Sequence, residues 1–317
     1  MMDERKETDF ETRRENMRFD EVSATMKKRF CKDFAVPITV FEEPYFSQRM
    51  KIVDAAKPIL KDWLTFVEET EEFENEQEYF EHYGTIKDAA IDSIKGKRAY
   101  ADFNGEDFPE PRMKLPKGNL YAVPNGGKRF ISVDMRKANF SALRYYSPSI
   151  FDGAETWEDW MSEFTAMKHL ARSKYVRQVI MGACNPGRQI KYERLLTENL
   201  AFGIVEETGA EPTYLSADEI IFRAPEGDSE TVALLAKMRE EIFESATPFF
   251  RTEAFLLELL PNGKGFVRKD LEGGPDVYKC VPAEDFHAVV KKRLGIPLTD
   301  DDLVFEHNGK LAKYLDF

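Results

Sequence analysis

The sequence predicts an α+β protein: an antiparallel sheet backed by helices, with a helical N-terminal region and a small C-terminal extension. Three observations predict it. Ile59, Leu60, Trp63 and Val67 recur at helical spacing in the first hundred residues. Short β-prone runs flanking turn residues begin near residue 120. The 317 residues are 42% hydrophobic and 32% charged, which supports a folded core, and the length allows about two domains of about 100–200 residues each or one large domain with extensions.

Residues 1–30 carry eight acidic and eight basic side chains and read as a charged arm, solvated or an exposed helix. Residues 31–118 read as a helical region followed by a linker. Ile52, Ala55 and Ala56 suit a short helix, and Pro58, which lacks an N–H, suits the first turn of the next one. Eight of the fourteen residues from Glu68 to Glu81 are Glu, the composition of a solvated helix face. Pro109, Pro111 and Pro116 mark a linker or wrapping loop. From 119 to 260 the pattern is that of a mixed domain. Leu120–Val123 and Lys128–Asp134 flank Pro124-Asn125-Gly126-Gly127 and read as a hairpin. Ala138–Tyr146 opens a helix, Trp157–Ile180 reads as one long helical stretch, and Ile190–Glu207 as another. Thr213–Leu215 and Ile220–Phe222 are paired strands around Ser216-Ala217-Asp218-Glu219. Thr231–Phe243 is an amphipathic helix, and Phe255–Leu260 forms a hairpin with Phe266–Arg268. Residues 261–317 are a small extension, in which Asp300, Asp301 and Asp302 follow Thr299 as first-turn acids.

Composition narrows the function classes. Three cysteines cannot build a disulfide scaffold and suit a reducing, intracellular compartment. Met1–Phe10 is charged and lacks the apolar centre of a signal peptide. No apolar run reaches the roughly 18 residues of a membrane span, so a soluble protein with no membrane partner is expected. The four histidines are dispersed, and neither a phosphate-loop nor a dinucleotide-binding motif is present. A net charge of −13 argues against a wholly basic nucleic-acid coat. The distribution of charge is less simple. Lys168–Arg194 holds seven basic residues and one acid, a local +6, so the remainder of the chain carries −19. Arg188, Lys191 and Arg194, spaced by three, share a helix face, and with Arg177 they suit either a phosphate group or an acidic docking surface within the protein.

Two acidic features stand out. Asp134 ends the apolar strand Ile131-Ser132-Val133, and Asp218-Glu219 sits at the tip of a hairpin. Carboxylates gathered on a sheet repel one another, and Mg²⁺ relieves this by taking one or two of them together with substrate phosphates. Two such ions about 3.5–4 Å apart stabilise the attacking and leaving oxygens of phosphoryl transfer. The pattern therefore suits one acid from one strand and a pair from a neighbouring hairpin.

In this order the motifs resemble the polymerase palm superfamily of nucleotidyltransferases. Asp134-Met135-Arg136-Lys137-Ala138-Asn139-Phe140 is similar to the first palm motif of reverse transcriptases and viral RNA polymerases. Gly182-Ala183-Cys184-Asn185-Pro186 resembles the element between the two acid motifs of reverse transcriptases. Ser216-Ala217-Asp218-Glu219 is closer to the hairpin of tRNA-His guanylyltransferases and lesion-bypass polymerases, so the branch stays open. The resemblance covers about Leu120–Arg223 and leaves residues 1–118 and the tail without a counterpart.

The resemblance implies a palm-like sheet and a metal-dependent nucleotidyltransferase acting on a nucleoside triphosphate and a nucleic-acid primer or end. Asp134, Asp218 and Glu219 would be the catalytic acids: Asp134 and Asp218 would hold two Mg²⁺ ions, with Glu219 a third ligand or a group supporting them, and Mn²⁺ able to substitute. The backbone of Met135 and Arg136 would lie near the triphosphate. Asn139 would face the sugar and tolerate or prefer ribonucleotides. Arg177, Arg188 and Lys191 would bind phosphate. Two other classes fit the same residues: a non-enzymatic interaction protein with a degenerate palm, and a metal-dependent nuclease.

Overall fold

The computed structural model describes residues 17–115, 118–244, 249–263 and 265–315. The charged arm expected over 1–30 lies outside the described residues as far as residue 16; from Met17 onward it is not a solvated arm, because Met17, Phe19, Met26 and Phe30 are buried and Ala24 opens a helix. In chain order the helices are α1 (Ala24–Phe34), α2 (Tyr45–Ala56), α3 (Leu60–Thr70), α4 (Glu76–Gly96), α5 (Arg98–Gly105), α6 (Ala138–Tyr146), α7 (Trp157–Met161), α8 (Lys168–Arg172), α9 (Lys174–Gly182), α10 (Pro186–Thr208), α11 (Asp228–Glu244) and α12 (Phe286–Arg293). The strands are β1 (Arg129–Met135), β2 (Pro212–Leu215), β3 (Glu219–Arg223), β4 (Phe250–Leu259), β5 (Phe266–Asp270), β6 (Val277–Lys279), β7 (Val304–His307) and β8 (Lys310–Lys313). The α+β class, the antiparallel sheet and the helical N-terminal region are those the sequence predicts.

The chain forms two compact units. Among the described residues, one comprises those of 17–86, 165–177 and 282–315, and the other those of 87–164 and 178–281. In the first, Asp54 at the end of α2 accepts the Ile59 and Leu60 N–H groups at 2.8 and 3.0 Å and so starts α3, two residues beyond Pro58. The Trp63 ring of α3 lies 5.0–6.0 Å from those of Phe19, Phe30, Phe46 and Phe66, and this aromatic cluster is fully buried or nearly so. Within the Glu-rich stretch, Glu69 is not simply solvated: it accepts the Lys168 and His169 N–H groups at 2.8 and 2.9 Å and holds the His169 ring at 2.7 Å. Thr299 and Asp302 form a capping box, the helix-start role expected of that acidic run. The buried His287 ring stands 2.9 Å from the Asp302 carbonyl, and burial pulls its pKa down to about 4, so the neutral ring donates through Nε2.

The second unit holds the six-stranded antiparallel sheet, ordered β2-β3-β1-β4-β5-β6. Its first four strands run β1, helices, β2, β3, α11, β4, a split βαβ arrangement with β1 between β3 and β4. Alternation along β1 sends Ile131, Val133 and Met135 to one face, where they pack with Leu200, Ala201 and Ile204 of α10 and Leu235 and Met238 of α11. Phe130, Ser132 and Asp134 take the other face. There Phe130 joins Leu120, Ile221, Phe255, Leu257 and Phe266 in a smaller apolar cluster.

Three expectations change. Leu120–Val123 is not a strand paired with β1, because both edges of β1 are taken, by β3 and by β4. Instead Leu120 is buried, Val123–Asn125 is a 3₁₀ turn, and the Asn125 amide donates to the Leu120 carbonyl at 2.8 Å. The long helix expected over Trp157–Ile180 is three, α7, α8 and α9. The Thr165 hydroxyl accepts the Met167 N–H at 3.0 Å, and the Ser173 hydroxyl accepts the Val176 N–H at 2.9 Å, so polar side chains punctuate the stretch. Finally, residue 260 lies inside the β4–β5 hairpin: β5 and β6 extend the sheet, and residues 282–315 belong with the first unit.

Candidate functional site

The β1 ladder brings the acids together. Asp134 is registered directly opposite Glu219 of β3 on one side and Arg251 of β4 on the other. Side chains directly opposite in an antiparallel pair share a face with Cβ atoms about 4.5–5.5 Å apart. This row lies on the face away from α10 and α11. The Arg251 Nε and Nη2 groups donate to Asp134 Oδ2 at 2.7 and 2.6 Å. Glu219 Oε1 accepts from the Ser132 hydroxyl at 2.6 Å and from Arg268 Nη1 of β5 at 2.8 Å. Arg268 Nη1 also lies 3.4 Å from Glu253 of β4, and its guanidinium sits 4.6 Å from the Phe255 ring centroid. Among the described residues, no donor reaches Asp134 Oδ1 or Glu219 Oε2.

Asp218 occupies the hairpin tip. Its carbonyl accepts the Met135 N–H at 2.8 Å, which ties the tip to the end of β1, and its Oδ1 accepts from Ser216 at 3.1 Å. Thr197 of α10 donates to the Ala217 carbonyl at 3.1 Å and anchors the hairpin to the helix layer. One turn earlier on α10, Glu193 is buried. That burial, reinforced by the charge of Asp218, pushes its pKa up to about 7.

The two ladder acids differ electrically. Burial raises the Asp134 pKa above its ordinary value. Arg251 opposes this, while Glu219 and Asp218 add to it. Burial acts on Glu219 in the same sense, but the Arg268 charge and the hydrogen bonds from Arg268 and Ser132 outweigh it and hold its pKa below the ordinary value. Among the described residues no three or more His, Cys, Asp or Glu side chains form a ready cation cage. A cation here would share the acids with guanidiniums.

The remaining sequence-predicted residues are dispersed around this row. The Met135 side chain is buried, and its N–H is held by Asp218; the Arg136 N–H donates to the Phe249 carbonyl at 2.8 Å. Both amides expected near a triphosphate are therefore engaged by backbone carbonyls. Asn139 lies in the first turn of α6, where its Oδ1 accepts the Phe140 N–H at 2.9 Å. The Arg188 guanidinium donates to the carbonyls of Phe103 and Glu106 and lies 4.1 Å from the Phe108 ring centroid. Arg188 and Lys191 line a cavity with Lys114 and Arg194, and none of the three acids is in that lining. Arg177 belongs to the first unit, so the basic island of the sequence is divided between the two units.

Arg251, Arg268, Ser132, Glu253 and Glu193 stand in no motif that marks them as partners of these acids. Among them Ser132 carries a sequence signal, since two-residue alternation puts it on the Asp134 face. The chain matches no protein-family model, no curated protein and no solved structure.

Proposed function

We propose that the sheet of the second unit catalyses metal-dependent nucleotidyl transfer, joining nucleotides to a nucleic-acid end. One observation carries this reading. Asp134 and Glu219 stand opposite each other beside Asp218, and each of the two ladder acids keeps one oxygen clear of donors among the described residues. Two carboxylate oxygens turned to no donor, in a row where burial already disfavours the charge of Asp134, suit a hard divalent cation. Asp134, Asp218 and Glu219 would hold Mg²⁺, or Mn²⁺ in its place. A bound metal supplies charge stabilisation to the attacking and leaving oxygens of phosphoryl transfer.

The chain's own groups have separate tasks. Arg268 and Ser132 fix the orientation of Glu219, and Arg251 balances Asp134. Glu193, protonated up to about pH 7, limits the negative charge beside Asp218. Asn139 supports use of ribonucleotides, since an amide can bond a 2′-hydroxyl. Motif order and the split βαβ connectivity support the palm resemblance by analogy of fold. Among the described residues no helix is long and apolar enough to cross a membrane, and Cys31, Cys184 and Cys280 are free thiols, which supports a reducing intracellular setting.

Incubation of the full chain with labelled NTPs or dNTPs, Mg²⁺ or Mn²⁺, and single-stranded or hairpin substrates tests the reading. Incorporation by the wild type and its loss in Asp218→Ala with the fold intact is the expected result. Full activity in Asp218→Ala would refute the site, and shortening of the substrate would indicate a nuclease. The guanidinium pairs on Asp134 and Glu219 favour one second reading, a non-enzymatic interaction protein in which the acids tie strands together. Absence of any metal-dependent product would select it.

A further inference from the structure

A cavity of about 660 Å³ adjoins the acid row, lined by Arg136 at the end of β1, Arg251 and Phe250 of β4, and Arg239 and Phe243 of α11. Its size is that of a small-molecule site. Its three cations are held in different ways. Arg239 is fixed: its Nη1 and Nη2 donate to Glu272 at 2.6 and 2.8 Å and its Nε to Thr252 at 2.8 Å. The Arg136 side chain is exposed and meets no hydrogen-bond or ion-pair partner among the described residues. Arg251 belongs to both sites, lining the cavity while pairing with Asp134. Its side chain is half exposed, so its guanidinium has room to turn. Phe243, 87% exposed, presents an aromatic face at the rim.

We propose that this cavity binds a polyphosphate group, and that the bound anion draws Arg251 from Asp134 and so frees Asp134 for a divalent cation. The proposal rests on the nucleotidyl-transfer reading and adds regulation to it: Arg251 latches the acid until an anion is present. Of the three lining arginines, Arg239 pairs with Glu272 and Arg251 with Asp134, which leaves the charge of Arg136 without a paired carboxylate among the described residues. Planar forked donors match phosphate oxygens. Asp134 and the anion compete for one guanidinium, so each weakens the other's hold on it, and the coupling is reciprocal. The source of the polyphosphate is either a nucleoside triphosphate, whose base would stack on Phe243, or free polyphosphate.

The test is calorimetric titration of the full chain with inorganic tripolyphosphate and with ATP in EDTA, where no turnover occurs. Binding weakened roughly tenfold by Arg136→Ala is expected, from the loss of one charge-assisted contact at an exposed position that does not threaten folding. Asp134→Asn should tighten tripolyphosphate roughly fivefold or more by releasing Arg251. That gain should vanish when Arg251→Ala is added, whereas a merely electrostatic effect would persist in the double variant. In a separate titration without EDTA or phosphate, Arg251→Ala should bind Mn²⁺ more tightly than wild type. ATP bound more tightly than tripolyphosphate, with the difference erased by Phe243→Ala, identifies a nucleoside triphosphate; equal binding identifies free polyphosphate. No tripolyphosphate binding, an Asp134→Asn gain that survives removal of Arg251, or Arg136-dependent binding of an oligonucleotide in place of tripolyphosphate would overturn the proposal. Because anion binding is read without metal, failure of incorporation leaves that result standing, and the two readings fail separately.

Discussion

Replacing Arg268 by Met keeps most of the side-chain volume and removes the charge that holds Glu219. Arg268 is 4% exposed, and it is the only cation paired with Glu219 among the described residues. Breaking a buried ion pair from one side costs about 3–5 kcal/mol, because the remaining charge stays desolvated. Glu219 retains some solvent contact and its bond from Ser132, so the lower end applies and a loss of about 3 kcal/mol is expected at pH 7. The pH dependence separates charge from packing. In the wild type the pKa of Glu219 is depressed, so its contribution is present above the ordinary carboxylate range and is lost as pH falls through the folded value. In Arg268→Met burial is opposed only by the Ser132 hydrogen bond and the Lys279 charge, so that pKa rises and the variant gains relative stability as Glu219 protonates. The difference between the two proteins should shrink towards acid pH. Hydrogen exchange at the amides of β1 and β4 reads the opening free energy of this unit directly. The double variant Arg268→Met/Glu219→Gln should recover more than half of the loss. A loss of equal size at pH 7 and pH 4, or one unrelieved by Glu219→Gln, would refute the reasoning.

Three further outcomes follow from named contacts. Asp134→Asn should melt at the same temperature as wild type or higher at pH 7, because the raised pKa of Asp134 marks a penalty on its charged form that fades as pH falls; a lower melting temperature counts against this. His287→Gln should reduce acid sensitivity: the folded ring resists protonation down to about pH 4 against an ordinary value of 6.5, a cost of up to about 3 kcal/mol that appears as pH falls through that window, and thermal melts from pH 7 to 4.5 should show a smaller drop in the variant. Gly265→Ala should destabilise the β4–β5 hairpin by about 1–3 kcal/mol, since φ is +125° and an added Cβ would lie 2.8 Å from the Lys279 carbonyl; unchanged exchange in β5 and β6 would contradict it.

Much of the scaffold was legible because its signals are local. Val133-Asp134 ends a strand, Ser216–Glu219 turns a hairpin, and helices α6 and α11 begin within three residues of their expected starts. The hairpin expected at 120–134 failed for a non-local reason. Leu120–Val123 has strand propensity, but β3 and β4 hold both edges of β1. The partners of the acids were hidden in the same way. Arg251 is 117 residues from Asp134 and Arg268 is 49 from Glu219, and neither stands in a motif. Charge counting located a basic stretch, but Arg188 turns to the carbonyls of Phe103 and Glu106, while the cations that meet the acids lie on β4 and β5.

The contacts of Arg268 have a mechanical meaning. From β5 its guanidinium reaches Glu253 on β4 and Glu219 on β3, and Glu219 in turn holds Ser132 on β1. One chain of side chains thus laces four adjacent strands crosswise to their backbone ladders. A sheet so laced cannot change its twist at one strand alone, because shear between any two neighbours stretches the lacing. The gap between Asp134 and Glu219 is therefore a dimension of the whole sheet. A disturbance of β5, remote in sequence from both acids, should reach that gap as a change of width.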